Sequence, residues 1–307
     1  MAKVLVTGAN GMLGTLVADA LENRGYQTIR QTREIVDLIN PAQTEEFIFG
    51  SQPDVIIHCA AVVGGIQANI DGGARFFLDN YLIDHNVLTS ALNSEVINLV
   101  YIGSSCMYPA NQLQPLKVQD LLSGKLEPTN EDYAIAKLTG MRLTKAVAEL
   151  KGFNWRTLIA SNLYGPGDRF DTQRSHLLAS IIYKAFQATR ESLDYVTMWG
   201  DGTPRREFTY APDLAEWISR TVNSLTELPL AMNVGYGQDL TVLEYYELVL
   251  KAMNLNLKIV KDLSKPSGNS RKLMDSSEAS KFGWNPPTII HEGIKKTIAW
   301  YEMTHKC

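Results

Sequence analysis

Cysteine is scarce in this sequence. Only Cys59, Cys106 and Cys307 occur in 307 residues. So few, irregularly spaced thiols build neither a disulfide framework nor a zinc ribbon, and their scarcity suits a reducing compartment. No apolar run approaches the roughly 18 residues that a membrane helix needs. The opening run Val4-Leu5-Val6 is broken by Gly8, Asn10 and Gly11, too early for the apolar region of a signal peptide. Nor is there a basic excess: 29 Lys and Arg stand against 33 Asp and Glu, a formal charge of −4. No broad cationic face is left to meet a phosphate backbone. No cluster of His, Asp and Glu has metal-ligand spacing. The expectation is a cytoplasmic protein that uses no membrane, no nucleic acid and no metal.

What remains is an ordinary globular composition, 45% hydrophobic and 20% charged. The length suits one large domain or two smaller ones, with a core that needs no cross-links. The first thirty residues read as strand, tight turn, helix, strand. Val4-Leu5-Val6 is wholly apolar, as a parallel strand covered on both faces must be. Gly8, Gly11 and Gly14 follow, then Met12, Leu13, Val17, Ala18 and Leu21 fall at helical spacing. Gly25 closes that helix, and Gln27-Thr28-Ile29 begins a second strand. The rhythm returns with strands at 54–57, 99–102 and 155–159 and helices at 80–93 and 133–150. Such alternation implies an α/β fold, a doubly wound parallel sheet with helices on both faces.

After Gly165-Pro166 the rhythm breaks. A helix at 177–188 and a short strand near Val196-Thr197-Met198 interrupt it, and beyond Gly235 shorter, proline-rich elements are expected (Pro266, Pro286, Pro287). We therefore expect a dinucleotide-binding domain over 1–165 with a return segment at about 208–235. A smaller C-terminal α/β substrate domain would take 166–207 and 236–307, with the site in the crevice between them.

Gly8-Ala9-Asn10-Gly11-Met12-Leu13-Gly14 sits between a strand and a helix, the context in which a glycine-rich turn binds a dinucleotide. The first glycine makes the turn, the second admits a phosphate to the backbone, and the third lets the helix pack on the sheet. The helix N-terminus stabilises the pyrophosphate. The second strand ends in Arg30-Gln31-Thr32-Arg33, where an acidic residue would hold a free ribose hydroxyl. Guanidinium forks suit a 2′-phosphate, so NADPH is the expected cofactor. Further along, Tyr133 and Lys137 are four apart and share one helix face. The ammonium is expected to lower the tyrosine pKa and make the phenol an acid or base. Ser104, just past a strand, would help hold a carbonyl oxygen.

These features resemble the extended short-chain dehydrogenase/reductase superfamily. Longer strings narrow the resemblance: Val63-Gly64-Gly65-Ile66, Gly103-Ser104-Ser105-Cys106-Met107-Tyr108-Pro109, Leu126-Glu127-Pro128-Thr129-Asn130, Asn162-Leu163-Tyr164-Gly165-Pro166, Trp199-Gly200-Asp201-Gly202, Arg206-Glu207-Phe208 and Arg271-Lys272-Leu273. Together they look like the GDP-L-fucose synthase family, the 3,5-epimerase-4-reductases of GDP-4-keto-6-deoxy-mannose. The likeness runs from about Val4 to Trp284.

The resemblance implies roles. Ser104 and Tyr133 bind the 4-keto oxygen, with Tyr133 giving a proton as NADPH delivers hydride. Lys137 holds the nicotinamide ribose. Cys106 and His176 form the acid/base pair of epimerisation. A thiol and an imidazole suit that work, since both titrate near neutrality and can trade roles across a carbon acidified by an adjacent, hydrogen-bonded carbonyl. Around the cofactor the resemblance sets Gly8, Asn10, Gly11, Met12, Leu13 and Gly14. It adds Arg33 and Asp37, then Ala60 and Ala61, then Ile102 and Gly103, and finally Lys137, Asn162, Leu163 and His176. Around the GDP-sugar it sets Lys184, Trp199, Arg206 and Lys272. Lys184 departs from the family's arginine and Ser267 from its aspartate, and Asn269-Ser270 replace Thr-Pro. His58, His85, His291 and His305 receive no role. A homodimer, built by the helices bearing Tyr133 and 80–93, is expected by resemblance alone. Other readings are a C4 reductase of a related GDP-4-keto-deoxy sugar such as a colitose or 6-deoxyheptose precursor, an NAD-retaining 4-epimerase, and a non-catalytic nucleotide sensor. The last sits poorly with the presence of Ser104, Tyr133 and Lys137.

Overall fold

A computed structural model describes residues 2–171, 174–266 and 268–305. Ser267 and Cys307 lie outside the described residues. In chain order the first elements are β1 (Lys3–Thr7), α1 (Met12–Asn23), β2 (Gln27–Arg30), α2 (Pro41–Ser51), β3 (Val55–His58), α3 (Ile66–Asn93), β4 (Asn98–Ser104), α4 (Glu131–Lys151), β5 (Asn154–Ala160) and β6 (Asn162–Tyr164). There follow α5 (Leu177–Arg190), β7 (Tyr195–Trp199), β8 (Arg205–Tyr210), α6 (Ala211–Thr221), β9 (Ala231–Val234), β10 (Asp239–Thr241), α7 (Val242–Ala252), β11 (Lys258–Asp262), β12 (Arg271–Lys272), α8 (Ser277–Ser280) and α9 (Ile290–His305).

Six strands form one parallel sheet in the order β2-β1-β3-β4-β5-β9. Its central strands are apolar on both faces because both faces are covered. Val4, Val6, Val55, Ile57 and Val100 pack with Leu13, Val17, Leu21 and Trp217 on one side. The alternate residues Leu5, Ile56, Leu99 and Tyr101 pack with Val87, Leu88, Leu138 and Met141 on the other. The fold is therefore α/β with a doubly wound parallel sheet, as the alternation implied. The chain leaves β1 toward β2 and returns on the opposite side to β3. The strand order reverses there, and a crevice opens at the carboxyl ends of the strands.

A third core holds Ile181, Ile182, Met198, Phe208, Tyr245 and Ile298 together. Over it lie a small sheet ordered β10-β8-β12, with β6 beside β8, and the parallel pair β7–β11. Two expectations need correction. The helix expected at 80–93 begins at Ile66; it bends at Gly73, where φ is 42° and ψ −130°. Gly73 is non-helical, so α3 is two helical segments joined at a kink, and the expected 80–93 lies within the second. Beyond Gly235 the elements are not all short, since α9 runs 16 residues. Pro286 and Pro287 precede that helix and so break nothing.

Candidate active site

At the end of β1 the backbone turns at Gly8 with φ +64°; a Cβ there would stand 2.8 Å from the Ala60 Cα. A Cβ on Gly14 would run into the Gly8 carbonyl. These two glycines let the loop, α1 and the exit of β3 close on one another. Gly11 is the N-cap of α1 and supplies no side-chain cap, so the first amides of the helix can meet an anion. At the exit of β2, Gln31 is buried. Its Oε1 accepts from the Gly8 N–H at 2.9 Å, and its Nε2 donates to the Thr32 and Val36 carbonyls. Arg30 turns away toward α1 and pairs with Asp19 and Glu22. Of the two arginines expected to suit a 2′-phosphate, only Arg33 borders the crevice, beside Glu34 and Asp37.

β4 ends at Ser104, and a single 3-10 turn follows over Ser105–Met107. The Cys106 backbone N–H donates to Ser104 Oγ at 3.2 Å, which fixes the hydroxyl against the turn that carries Cys106. α4 brings Tyr133 to the same place, with Ser104 as hydrogen-bond partner of the phenol. Burial, followed by the nearby Cys106 and Asp84, pushes the phenol well above its usual range, and Ser104 opposes this only in part. The expectation that Lys137 lowers the Tyr133 pKa is therefore corrected. The Lys137 Nζ is held 3.3 Å from both carboxylate oxygens of Asp84 and 4.1 Å from the Tyr101 ring centroid, so its charge is engaged there. Tyr133 stays protonated, the state a proton donor needs.

The opposite wall comes from the C-terminal elements. His176 caps α5, and burial lowers its pKa, leaving a neutral imidazole that can accept a proton. Lys272, buried on β12, donates to Cys106 Sγ at 3.6 Å. Arg206 on β8 donates from one guanidinium nitrogen to the Arg205 and Asn269 carbonyls. The Lys184 Nζ donates to the Thr197 carbonyl at 3.0 Å and to the Tyr246 hydroxyl at 3.3 Å, and lies 5.5 Å from the Trp199 ring centroid.

Apart from Arg30, every catalytic, cofactor and substrate candidate named from the sequence borders one cleft of about 800 Å³, including Asn10, Met12, Leu13, Ala61, Ile102, Gly103, Asn162 and Leu163. That size suits a bound small molecule. Sequence reasoning missed Gln31, which borders the cleft, and His58 and Asp84 behind its walls. For Asp84 one signal existed. A carboxylate beside Ile83 and three residues before Val87 falls on the apolar face of α3, and a charge there needs a partner. His58 gave no signal until its neighbours were placed.

The profile of the NAD dependent epimerase/dehydratase family matches residues 4–235. A GDP-L-fucose synthase of Azorhizobium caulinodans is 43% identical over 97% of this chain and 96% of its own. A GDP-L-colitose synthase of Yersinia pseudotuberculosis is 39% identical over 97% of each. Among solved structures, a GDP-mannoheptose C4 reductase from Campylobacter jejuni with NADP bound superposes with a TM-score of 0.88. It is 28% identical and covers 98% of either chain. On the family match, the relatives and the cleft together, this chain belongs to the NAD dependent epimerase/dehydratase family.

Proposed function

We propose that this protein is an NADPH-dependent enzyme that epimerises GDP-4-keto-6-deoxy-D-mannose at C3 and C5 and reduces its 4-keto group, giving GDP-L-fucose. The observation that carries this reading is the juxtaposition of Ser104, Cys106 and Tyr133, with Lys272 on the thiol. A plain reductase has no use for a thiol there. Relatives named GDP-L-fucose synthase support it. The space kept by Gly8 and Gly14, the uncapped amides of α1 and the placement of Arg33 fit a dinucleotide carrying a 2′-phosphate. Bound there, NADPH supplies the hydride for C4.

In this reading the Ser104 and Tyr133 hydroxyls donate to the C4 oxygen. They stabilise the enolate that forms when a proton leaves C3 or C5. Cys106, in the 3-10 turn after β4, and His176, at the N-cap of α5, serve opposite faces of the sugar in this proposal: one removes the proton and the other returns it. Once both centres are inverted, Tyr133 gives its proton to the C4 oxygen. Lys137 holds the nicotinamide ribose, Arg206 and Lys184 meet the diphosphate, and Trp199 lies against the nucleotide. The division into a dinucleotide domain (1–165 with 208–235) and a substrate domain (166–207 and 236–307) belongs to the same proposal. So does a homodimer through α3 and α4, on whose surfaces Leu78 and Ile135 are exposed. A reducing cytoplasm is supported by the free thiols of Cys59 and Cys106. No helix among the described residues is long and apolar enough to cross a membrane.

Purified protein given NADPH and GDP-4-keto-6-deoxy-D-mannose should oxidise the cofactor and yield GDP-L-fucose by NMR. An untouched substrate would end the proposal. A second reading, C4 reduction of a related GDP-4-keto-deoxy sugar, is favoured by the relative named GDP-L-colitose synthase. It also draws on Lys184, whose amine is already engaged by Thr197 and Tyr246. Parallel assays on several GDP-keto sugars separate the two by kcat/KM.

A further inference from the structure

We propose that Asp84 is the positioning residue for Lys137, and that a chain of hydrogen bonds from Ala60 through Thr7 and His58 holds Asp84 in place. The inference rests on the reductase reading, in which Lys137 must carry a charge beside the cofactor.

Asp84 lies on α3 and is 2% exposed, as is Lys137 on α4. A buried carboxylate survives only if it is paired and hydrogen-bonded. Asp84 is surrounded. The Lys137 Nζ stands 3.3 Å from both its oxygens, His58 Nε2 stands 3.0 Å from Oδ1, and the Tyr101 hydroxyl donates to Oδ2. Burial alone would favour the protonated acid, yet Lys137, His58 and Tyr101 together hold its pKa below the usual carboxylate range.

One assignment of protons satisfies the whole chain. The Asp84 carboxylate can only accept, so the one proton of a neutral His58 lies on Nε2 and Nδ1 takes the hydroxyl hydrogen of Thr7, 2.7 Å away, whose Oγ1 also accepts from the Ala60 N–H at 3.2 Å. Burial lowers the His58 pKa against the pull of Asp84, which agrees with a neutral ring. The groups facing Asp84 are His58 from β3, Tyr101 from β4 and Lys137 from α4; Cys59 also acts on Lys137 and Tyr133 on Tyr101. One negative and one positive charge remain.

This has a functional meaning. Burial pulls the Lys137 pKa down, and Asp84 is the first group opposing it. Lys137 also borders the cleft, with Asp84 behind it and the cofactor site in front. The chain starts at Thr7 and Ala60, which flank the glycine turn. The backbone that would cradle the pyrophosphate and the ammonium that would hold the ribose are thus tied to one carboxylate.

The test is Asp84→Asn. NADPH affinity, read by cofactor fluorescence, and kcat/KM are followed between about pH 6 and pH 9 against the wild type. Without the carboxylate, Lys137 loses its proton at lower pH. The alkaline limb of both profiles should move down by at least about one pH unit, a tenfold loss on the alkaline side that recovers on acidification. Asp84→Glu keeps the charge and should keep the limb in place. A fall of equal size at every pH overturns the proposal, because a purely structural role would act that way. Should the single variant not fold, Asp84→Asn in a Lys137→Met background decides, since removing both charges leaves none uncompensated. The double variant should match or exceed the melting temperature of Lys137→Met and bind NADPH within about threefold of it; additive losses overturn the proposal. A wild type that binds no NADPH and reduces no GDP-keto sugar sinks both this inference and the function beneath it. A competent wild type with an unmoved Asp84→Asn limb sinks this inference alone.

Discussion

The ammonium of Lys272 lies 3.6 Å from the thiol of Cys106, across 166 positions of sequence. The pair joins the two halves of the cleft. One residue follows β4 of the large sheet, and the other sits on β12 of the small one. In the epimerisation proposed above, this ammonium would stand beside the sulfur when it carries negative charge.

Lys272→Met should therefore slow epimerisation more than reduction. A charge-assisted hydrogen bond lost at a buried site costs about 1.5–3 kcal/mol, or roughly 10- to 150-fold in rate. Deuterium uptake from heavy water at C3 and C5, compared with NADPH oxidation of an already epimerised substrate, reads the two activities separately. Equal losses in both would place Lys272 in substrate binding instead.

Arg33 stands at the exit of β2, while Arg30 is bound to Asp19 and Glu22. Arg33→Ala should lower kcat/KM with NADPH by roughly 10- to 100-fold through loss of a fork on the 2′-phosphate, and leave NADH almost unchanged. Arg30→Ala should alter neither ratio. Steady-state kinetics with both cofactors check this, and a preference unmoved by Arg33→Ala counts against the assignment.

Gly14→Ala places a methyl group on the Gly8 carbonyl, which is backbone and cannot swing aside. About 1–3 kcal/mol of stability should be lost through overpacking, and NADPH affinity should drop at least tenfold as the loop is displaced. Thermal melts and cofactor titration measure the two effects. Gly50→Ala, where a Cβ meets nothing within 4 Å, is the control.

Asp168 is raised to about 7 by burial, with only the Arg169 N–H opposing, and its Oδ2 is buried without a partner. Its folded pKa thus exceeds the unfolded value of 3.8. The folded state binds the proton more tightly, so this group's stabilisation is full below pH 4 and is lost as the pH climbs to about 7. Asp168→Asn, which cannot ionise, should gain on the wild type across that range. The advantage should grow by up to about 4 kcal/mol and level off above pH 8, a shift of several degrees in Tm. A constant difference in Tm from pH 4 to pH 8 would contradict this.

Much of the fold was legible because its signals are local. The turn at Gly8, Gly11 and Gly14, the apolar strands at Val4-Leu5-Val6 and Val55-Ile56-Ile57, and the Tyr133/Lys137 spacing each arise within one element. Backbone sterics and side-chain periodicity determine such features without distant help. The helical segment before the kink at Gly73 escaped the sequence reading.

The sequence by itself determined which residues could do chemistry. Only the tertiary structure decided what each of them faces. It turned Arg30 away from the cleft and Arg33 toward it, bound Lys137 to Asp84 rather than leaving it free to tune Tyr133, and set Lys272 on Cys106. Those outcomes depend on partners from 8 to 166 residues away. Burial sets the protonation of Tyr133 and Asp168, and buried partners that of Asp84; both belong to the packed whole, because the cost of a charge depends on everything that replaces water around it.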